Sequence, residues 1–295
     1  MGNMKDIITL QKDLEQVGYI AEQSLAATLL LFAELKRPLL LEGDAGVGKT
    51  EIAKALAEVF HCPLIRLQCY EGLDASSAVY EWNYQRQLLA IKIQEAGGRP
   101  VAEMERHIFS EEFLLKRPLL QAISMPSPPV LLVDEIDRAD EEFEAYLLEV
   151  LSDFQISIPE LHTIEASSIP YVVLTSNATR ELSDALRRRC LYLYVDYPNL
   201  DKELRIINRH LPEINRELAG QVVEFMHALR RQDLRKKPGI SETLDWLAAL
   251  MRLNVKNLNE DPELIAQTLV CLLKTKEDRD AVTHEVMQRL VANAG

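Results

Sequence analysis

The sequence predicts a three-layer α/β domain with a parallel sheet, followed by a smaller all-helical domain. Short apolar runs alternate with helical patterns through residues 1–198, and such runs suit strands that are buried on both faces of a parallel sheet. After Pro198 only helical patterns remain. We therefore divide the chain into an α/β domain at residues 1–198 and a helical domain at residues 199–295.

The α/β domain opens with helical periodicity and then alternates strands with helices. Residues 10–35 carry apolar side chains at helical spacing, and Gly18 divides that pattern into two helices. Pro38 ends the pattern, and a further helix is predicted at residues 50–60. The candidate strands are residues 39–41, 64–67, 130–133, 171–174 and 191–195.

The second domain shows no candidate strand. Its apolar residues recur at helical spacing in every segment, which predicts helices throughout. The predicted helices cover residues 204–211, 222–231, 243–253, 262–273 and 279–291.

Charge and composition exclude several classes of protein. Acidic residues outnumber basic ones by 46 to 33, and this net charge of −13 argues against nucleic acid as a partner, which needs a broad basic face. No apolar run approaches the ~18 residues of a membrane helix, and residues 1–12 lack the features of a signal peptide. The four cysteines form no C-x-x-C pair, so we interpret them as buried reduced thiols of a cytoplasmic protein.

Residues 43–50 read G-x-x-x-x-G-K-T between a predicted buried strand and a predicted helix. Glycines let the backbone curl so that successive N–H groups point at phosphate oxygens, and the start of the helix adds a positive dipole. Lys49 would reach the β- and γ-phosphates of a nucleoside triphosphate, and the Thr50 hydroxyl would be a ligand of Mg²⁺. The predicted nucleotide-contacting residues are Gly43, Asp44, Ala45, Gly46, Val47, Gly48, Lys49, Thr50 and Glu51.

The predicted strand at residues 130–133 ends in a pair of carboxylates, Asp134 and Glu135. Strands of a parallel sheet deliver their carboxyl ends to the ligand crevice, so Asp134 could hold Mg²⁺ directly or through water. Glu135 follows on the opposite side of the pleat and could polarise an attacking water. The pair therefore indicates hydrolysis of the bound nucleotide.

Together these stretches resemble the AAA+ ATPases and, more narrowly, the MoxR family. The phosphate loop in LLLEGDAGVGKT and the acidic strand in LLVDEIDRA carry the resemblance, and VLTSN at residues 173–177 matches the family's sensor-one strand. The stretch ELSDALRRRC at residues 181–190 matches the arginine-finger region. With residues 196–198, it is similar to the CoxD-type accessory ATPases of aerobic carbon monoxide dehydrogenase.

The resemblance implies a P-loop NTPase domain with a small helical lid, which uses ATP and Mg²⁺ in a homo-oligomeric ring, with a hexamer as the expected size. It gives Asn177 the sensor role, and it gives Arg189, with Arg188 as second choice, the role of a finger that acts on the neighbouring subunit's ATP. The charge run alone would favour a solvated basic turn at residues 187–189.

The family also implies partners and a client. It points to a chaperone that remodels or matures a metalloenzyme, such as a molybdenum-containing carbon monoxide dehydrogenase. The partner would be a protein with a von Willebrand factor A domain.

Two further segments correspond to family features. Residues 69–106 would be the substrate-facing insert in helix two, and residues 154–166 would be the hairpin before the sensor-one strand. Trp82 and Tyr84 in the insert fit a substrate loop or ordinary core aromatics about equally well.

One position departs from the family. Thr243 stands where the lid usually carries a sensor-two arginine, and Lys236 or Lys237 could substitute for it. We expect the basic residues at 230–237 to form a solvated helix end and loop, with a phosphate or partner contact as the alternative.

Two other functions remain open from the sequence. A DNA-processing AAA+ motor shares the fold but conflicts with the acidic net charge. A nucleotide-gated adaptor with little turnover is consistent with Thr243 but conflicts with Glu135.

Overall fold

The computed structural model of the chain describes residues 4–95 and 101–294. Within these ranges the chain divides into two compact units. The sheet unit contains the residues before Leu14, Glu22–Glu42 and Thr50–Tyr194. The helical unit contains Leu14–Ala21, Gly43–Lys49 and the chain from Val195 onward. The domain boundary after residue 198 stays a prediction.

The sheet unit is built on a five-stranded parallel sheet and also contains two small antiparallel sheets. The strands are β1 (Leu39–Glu42), β2 (Leu64–Gln68), β3 (Tyr80–Trp82), β4 (Leu114–Lys116), β5 (Val130–Asp134), β6 (Gln155–Ser157), β7 (Thr163–Glu165), β8 (Tyr171–Ser176) and β9 (Leu191–Tyr194). The parallel sheet has the order β2-β5-β8-β1-β9. Neighbouring strands in the sheet are not consecutive in the chain, so they are linked by crossover connections. The predicted fold class is confirmed.

The carboxyl ends of the parallel strands lie at one edge of the sheet. Val133 in β5 pairs with Leu174 in β8, and Leu41 in β1 pairs with Thr175. All of β5 is buried, because its apolar run VLLV packs on both faces of the sheet before the first polar residue, Asp134. The register therefore brings the polar ends of β1, β5 and β8 to the same edge.

Helices precede, connect and cover these strands. The α-helices before β9 are α1 (Met4–Gln16), α2 (Gln23–Leu35), α3 (Lys49–Val59), α4 (Ala75–Ala78), α5 (Tyr84–Glu95), α6 (Val101–Ile108), α7 (Pro118–Ile123), α8 (Glu141–Asp153) and α9 (Asp184–Arg189). The helical structure is interrupted between α1 and α2, near Gly18, as predicted. The φ of Gly18 is +95°, in the left-handed region that glycine adopts at little cost.

A small antiparallel sheet that the sequence did not predict joins the insert to the segment that follows it. Strand β3 pairs with β4, so that Trp82 lies opposite Leu114. Trp82 is buried and meets Phe109 edge to face, with the ring centroids 5.3 Å apart, whereas Tyr84 is exposed. Trp82 is therefore a core residue and Tyr84 a surface residue. Part of the predicted insert, residues 96–100, lies outside the described residues.

The predicted hairpin at residues 154–166 is present as β6 and β7. Gln155 pairs with Glu165, and Ile156 pairs with Ile164. Ile156 is buried in the same hydrophobic core as Leu147 and Phe143 of α8, which anchors the hairpin to the sheet unit.

The helical unit has its own core. Its α-helices are α10 (Leu200–His210), α11 (Arg216–Arg230), α12 (Ile240–Arg252), α13 (Pro262–Thr268), α14 (Lys276–Ala281) and α15 (His284–Ala292). Phe225 of α11 and Trp246 of α12 pack with their ring centroids 4.9 Å apart, and both are fully buried. The indole N–H of Trp246 donates to the Thr268 hydroxyl at 2.8 Å, so this large side chain is buried without an unpaired donor.

The cysteines agree only in part with their predicted burial. All four are free thiols; Cys69 and Cys190 are buried, whereas Cys62 and Cys271 are half-buried. Burial raises the pKa of Cys69 to about 12, and the nearby carboxylates of Asp134, Asp137 and Glu135 add to the rise. Across the described ranges, every helix is too short or too polar to cross a membrane.

Candidate functional site

The phosphate loop curls around its own lysine. Lys49 is 7% exposed, and its ammonium donates to the main-chain carbonyls of Gly43 and Asp44, each at 2.7 Å. Gly46 and Gly48 have φ of +80° and +98°, which a residue with a Cβ adopts only at a cost. Gly46 and Gly48 thus permit the curl that places the ammonium inside the loop.

The other residues of the loop lie as an anion-binding segment requires. Asp44, Ala45 and Gly46 are exposed, whereas Val47 is buried and anchors the segment. Glu51, in the first turn of α3, is exposed and pairs with Lys54 at 2.6 Å. The nucleotide contacts expected at residues 43–51, including Glu51, stay predictions.

Within the helical unit, the phosphate loop touches the start of α12. The Ile240 N–H donates to the Gly46 carbonyl at 3.1 Å. A Cβ added to Gly239 would lie 2.6 Å from the Gly46 Cα, so the backbones meet at a distance that only glycine allows. The Tyr197 hydroxyl is 3.4 Å from the Ala45 carbonyl. The loop is thus held by main-chain contacts as well as by Lys49.

In the sheet unit, the Thr50 hydroxyl and the Asp134 carboxylate lie next to each other. The Thr50 hydroxyl lies 3.2 Å and 3.4 Å from the two carboxylate oxygens of Asp134, and Asp134 is 3% exposed. Mg²⁺ is bound by one or two carboxylates together with waters and substrate phosphates, so a hydroxyl beside a single buried carboxylate fits this ion.

Asp134 has two further partners that the sequence analysis did not identify. The Thr175 hydroxyl donates to Oδ1 at 2.5 Å, and Arg66 on β2 donates to Oδ2 through Nε at 3.1 Å and Nη2 at 2.5 Å. The sheet order places β2 and β8 on either side of β5, an adjacency that the sequence does not indicate. The carboxylate is therefore oriented from both neighbouring strands.

Glu135 follows β5 in a left-handed backbone conformation, with φ of +56°. Its N–H donates to the Thr175 hydroxyl at 2.9 Å. Its carboxylate oxygen Oε2 accepts from Gln68 at 3.1 Å and pairs with Arg138 at 2.9 Å. The turn separates the Glu135 carboxylate from that of Asp134, so the two acidic side chains have different partners.

The chain after β8 wraps around Asp137. The Asn177 N–H lies 3.2 Å from each Asp137 oxygen, and Thr179 donates to Oδ2 through its N–H at 2.9 Å and its hydroxyl at 2.6 Å. Burial alone would raise the pKa of Asp137, but these donors outweigh it and hold the pKa below its ordinary value. The resemblance gives Asn177 the sensor role, but no feature of the sequence indicates that the Asp137 carboxylate holds its main chain.

Two of the three arginines at the end of α9 are exposed. Arg188 and Arg189 face solvent, and Arg189 donates through Nε to the Ser152 hydroxyl at 3.0 Å. Arg187 instead pairs with Glu42 at 2.8 Å and is only one-third exposed. Arg37 donates to the main-chain carbonyls of Arg188 at 2.7 Å and Arg189 at 3.2 Å, which fixes the backbone that carries the exposed pair.

The expectation of a fully solvated cluster at residues 230–237 is wrong for Arg230. This side chain is buried and donates to both oxygens of Glu203, at 2.7 Å and 2.8 Å. Glu203 is itself fully buried and requires a countercharge, which explains the burial of the arginine. Thr243, at the expected sensor-two position, is fully buried and donates to Glu203 at 3.1 Å. Lys236 and Lys237 are exposed.

Residues 38–190, just over half of the chain, match the AAA domain family, dynein-related subfamily. An uncharacterized protein of Staphylococcus aureus is 26% identical over 261 residues, covering 86% of this chain and 90% of that protein. An uncharacterized protein of Staphylococcus saprophyticus is 23% identical over 266 residues, with the same coverage. A solved Thermotoga maritima RuvB Holliday junction branch migration motor aligns with 88% of this chain and 68% of that one, at 16% identity and a TM-score of 0.48. The family match places this chain in the dynein-related subfamily of AAA domains.

Proposed function

We propose that this chain is a Mg²⁺-dependent ATPase of the MoxR type that works as a ring. One observation carries the proposal: the Thr50 hydroxyl lies 3.2 Å from the buried Asp134 carboxylate, and Thr50 directly follows the phosphate-loop lysine in the chain. Membership of the AAA family supports nucleotide binding, usually together with Mg²⁺. ATP hydrolysis is the activity that this combination of groups serves.

The phosphate loop and the start of α3 bind the phosphates. Backbone N–H groups of the loop and the positive end of the α3 dipole attract the anion. The Lys49 ammonium, which donates to the Gly43 and Asp44 carbonyls, exchanges these partners for β- and γ-phosphate oxygens. The affinity for the triphosphate thus comes from groups that the loop already holds together.

Thr50 and Asp134 are the residues that would hold the metal ion. Mg²⁺ at this position would neutralise charge on the β- and γ-phosphate oxygens. The Thr50 hydroxyl would be a ligand of the ion, and Asp134 would bind it directly or through water. Thr175 keeps the Asp134 carboxylate in place by its hydrogen bond of 2.5 Å.

Glu135 takes the proton of the attacking water. Its carboxylate must be available as an acceptor, so the bonds from Gln68 and Arg138 to Oε2 loosen or are shared when the water is in place. Asn177, at the end of the neighbouring strand β8, orients the water or the γ-phosphate. Both residues extend from the same edge of the sheet because their strands are parallel neighbours.

Ring assembly supplies the arginine. Arg189, with Arg188 as second candidate, is exposed at the end of α9 and so is available to a neighbouring subunit. A guanidinium stabilises the charge that spreads over the transferring phosphoryl group. By the resemblance to MoxR proteins, the ring acts in the cytoplasm on a metalloenzyme, together with a von Willebrand factor A-domain protein. ATP turnover should then change when the immature metalloenzyme or the von Willebrand factor A-domain protein is added. An unchanged turnover rate with both would contradict the assignment of client and partner.

Replacing Glu135 with glutamine should leave ATP binding intact and lower turnover by about 10²–10⁴-fold, because the amide cannot accept the proton. Phosphate release measures turnover, and a fluorescent ATP analogue measures binding. Glu142→Gln, an exposed change in the first turn of α8, is the matched control and should turn over normally. Normal turnover by Glu135→Gln would rule out the assigned base, and a wild-type chain that binds no ATP would rule out the proposal.

The ring makes activity depend on concentration. Specific ATPase activity should fall as the protein is diluted and subunits separate, because the finger then leaves the site. Arg189→Ala should be inactive at all concentrations, whereas Arg252→Ala, at an exposed arginine of α12, should match the wild type. A specific activity that stays constant down to the monomer would contradict the ring.

A further inference from the structure

The ends of β5 and β8 are tied together by two side chains. Thr175 of β8 accepts the Glu135 N–H at 2.9 Å and donates to Asp134 at 2.5 Å. Asp137, just beyond β5, accepts the main-chain N–H groups of Asn177 and Thr179. One tie orients the acidic pair, and the other holds the chain that follows β8.

The Asp137 tie holds an unusual turn. Ala178, between Asn177 and Thr179, has φ of +55°, a left-handed conformation that costs free energy for a residue other than glycine. The carboxylate compensates by accepting donors on both sides of that residue. Asp137 is 3% exposed, so water does not replace these bonds easily. The Ser176 hydroxyl accepts the Ala178 N–H at 3.0 Å, and the buried Asp137 carboxylate accepts the N–H groups on either side of it, at Asn177 and Thr179.

The downstream end of the turn is also fixed. Arg180 donates to the Ala139 carbonyl at 2.7 Å and pairs with the buried Glu144. Glu144 in turn accepts the Ser183 N–H at 3.1 Å. Since residues 180–183 are already held by these bonds, a loss at Asp137 would be confined to the turn that begins at Asn177.

We propose that Asp137 is a positioning residue for nucleotide hydrolysis: it fixes the main chain of Asn177, and thereby the place from which the sensor amide acts beside Asp134 and Glu135. The inference rests on the proposed ATPase function and goes one step beyond it. Asp137 does not touch the substrate. It acts only through Asn177, and this distinguishes it from a carboxylate that merely stabilises the fold.

The test is a double-mutant cycle between Asp137 and Asn177. Asp137→Asn keeps the shape but puts an amide N–H where two main-chain donors need an acceptor, so kcat should fall about tenfold with KM for ATP nearly unchanged. In an Asn177→Ala background the same change should lower kcat no further, because the group it positions is gone. Thermal unfolding and binding of a fluorescent ATP analogue verify that each variant is folded.

The control is another capping carboxylate in the same region. Asp140 accepts the Phe143 N–H at 2.8 Å at the start of α8. Asp140→Asn should lower thermal stability without lowering kcat. Thr179→Val removes only the hydroxyl that donates to Asp137 at 2.6 Å. It replaces Asp137→Asn in the test if that variant does not fold. We expect Thr179→Val to lower kcat a few-fold in the wild type and to cause no further loss in the Asn177→Ala background.

Four outcomes separate the inference from the function on which it rests. An unchanged kcat in Asp137→Asn, or a loss that persists fully in the Asn177→Ala background, overturns the positioning role alone. An equal loss of kcat in Asp140→Asn also overturns it, since the effect would then follow stability. A wild-type chain that binds ATP without hydrolysing it overturns the proposed function as well.

Discussion

Replacing Lys49 with alanine is expected to weaken ATP binding by about a hundredfold or more. Lys49 is assigned two charge-assisted hydrogen bonds, to the β- and γ-phosphates; each contributes about 1.5–3 kcal/mol, and each 1.4 kcal/mol corresponds to about a tenfold change in affinity. The substitution removes the donor to the phosphates. It also removes the ammonium that holds the Gly43 and Asp44 carbonyls at 2.7 Å, so the loop loses part of its curl.

Lys54→Ala is the matched control for this change. Lys54 lies on the same helix, α3, and its ammonium forms a half-exposed pair with Glu51, which contributes at most about 1 kcal/mol. Isothermal titration with ATP and Mg²⁺ measures both affinities. Equal affinities for the two variants would contradict the assignment of Lys49 to the phosphates, and unchanged thermal unfolding of both would show that folding is not the cause.

The sheet and the phosphate loop could be predicted because their sequences have one dominant constraint. A strand buried on both faces must be apolar, so the runs before Asp134 and before Gly43 stand out from their surroundings. The loop must curl around an anion, which demands glycine at Gly46 and Gly48. Where a single physical requirement sets the residue type, the pattern can be recognised from the chain alone.

The partners of the acidic pair could not be predicted, because they come from other strands. Arg66 and Gln68 reach Asp134 and Glu135 only because β2 lies beside β5 in the sheet. Nothing local in the sequence near residue 66 indicates that neighbour. The short strand β3 could not be predicted for a similar reason: three residues are too few to show alternation, and its partner β4 lies beyond the insert, more than 30 residues along the chain.

Arg230 shows how a charge run can mislead. Its neighbours Arg231, Lys236 and Lys237 are exposed, as a solvated cluster predicts, but Arg230 lies at the end of α11 on the side that faces Glu203 of α10. A basic residue in such a run has no distinguishing mark in the sequence. Its burial is decided by the acidic residue that the fold brings to it, and this pair leads to a large expected effect on stability.

Glu203→Ala is expected to lower the free energy of unfolding of the helical unit by about 3–5 kcal/mol, because it leaves the Arg230 guanidinium buried without a countercharge. Glu203 is fully buried and accepts from Arg230, from the Thr243 hydroxyl and from His227 Nε2, the last at 3.0 Å. After the change, Arg230 keeps its bond to the Pro238 carbonyl at 2.9 Å, but a carbonyl does not neutralise its charge.

The chain allows this loss to be measured in one unit. Trp82 and Trp246 are the two tryptophans, so in a Trp82→Phe background Trp246 fluorescence follows denaturant unfolding of the helical unit. Glu15→Ala, which breaks the half-exposed pair with Arg205 in the same unit, is the control and should cost less than about 1 kcal/mol. The double change Glu203→Leu with Arg230→Leu should recover most of the lost stability, since it removes both buried charges together.

Two results would contradict this account of the Glu203–Arg230 pair. If Glu203→Ala costs no more than Glu15→Ala, the pair does not hold α10 to α11. If the double change is as unstable as Glu203→Ala, the unpaired charge is not the cause of the loss.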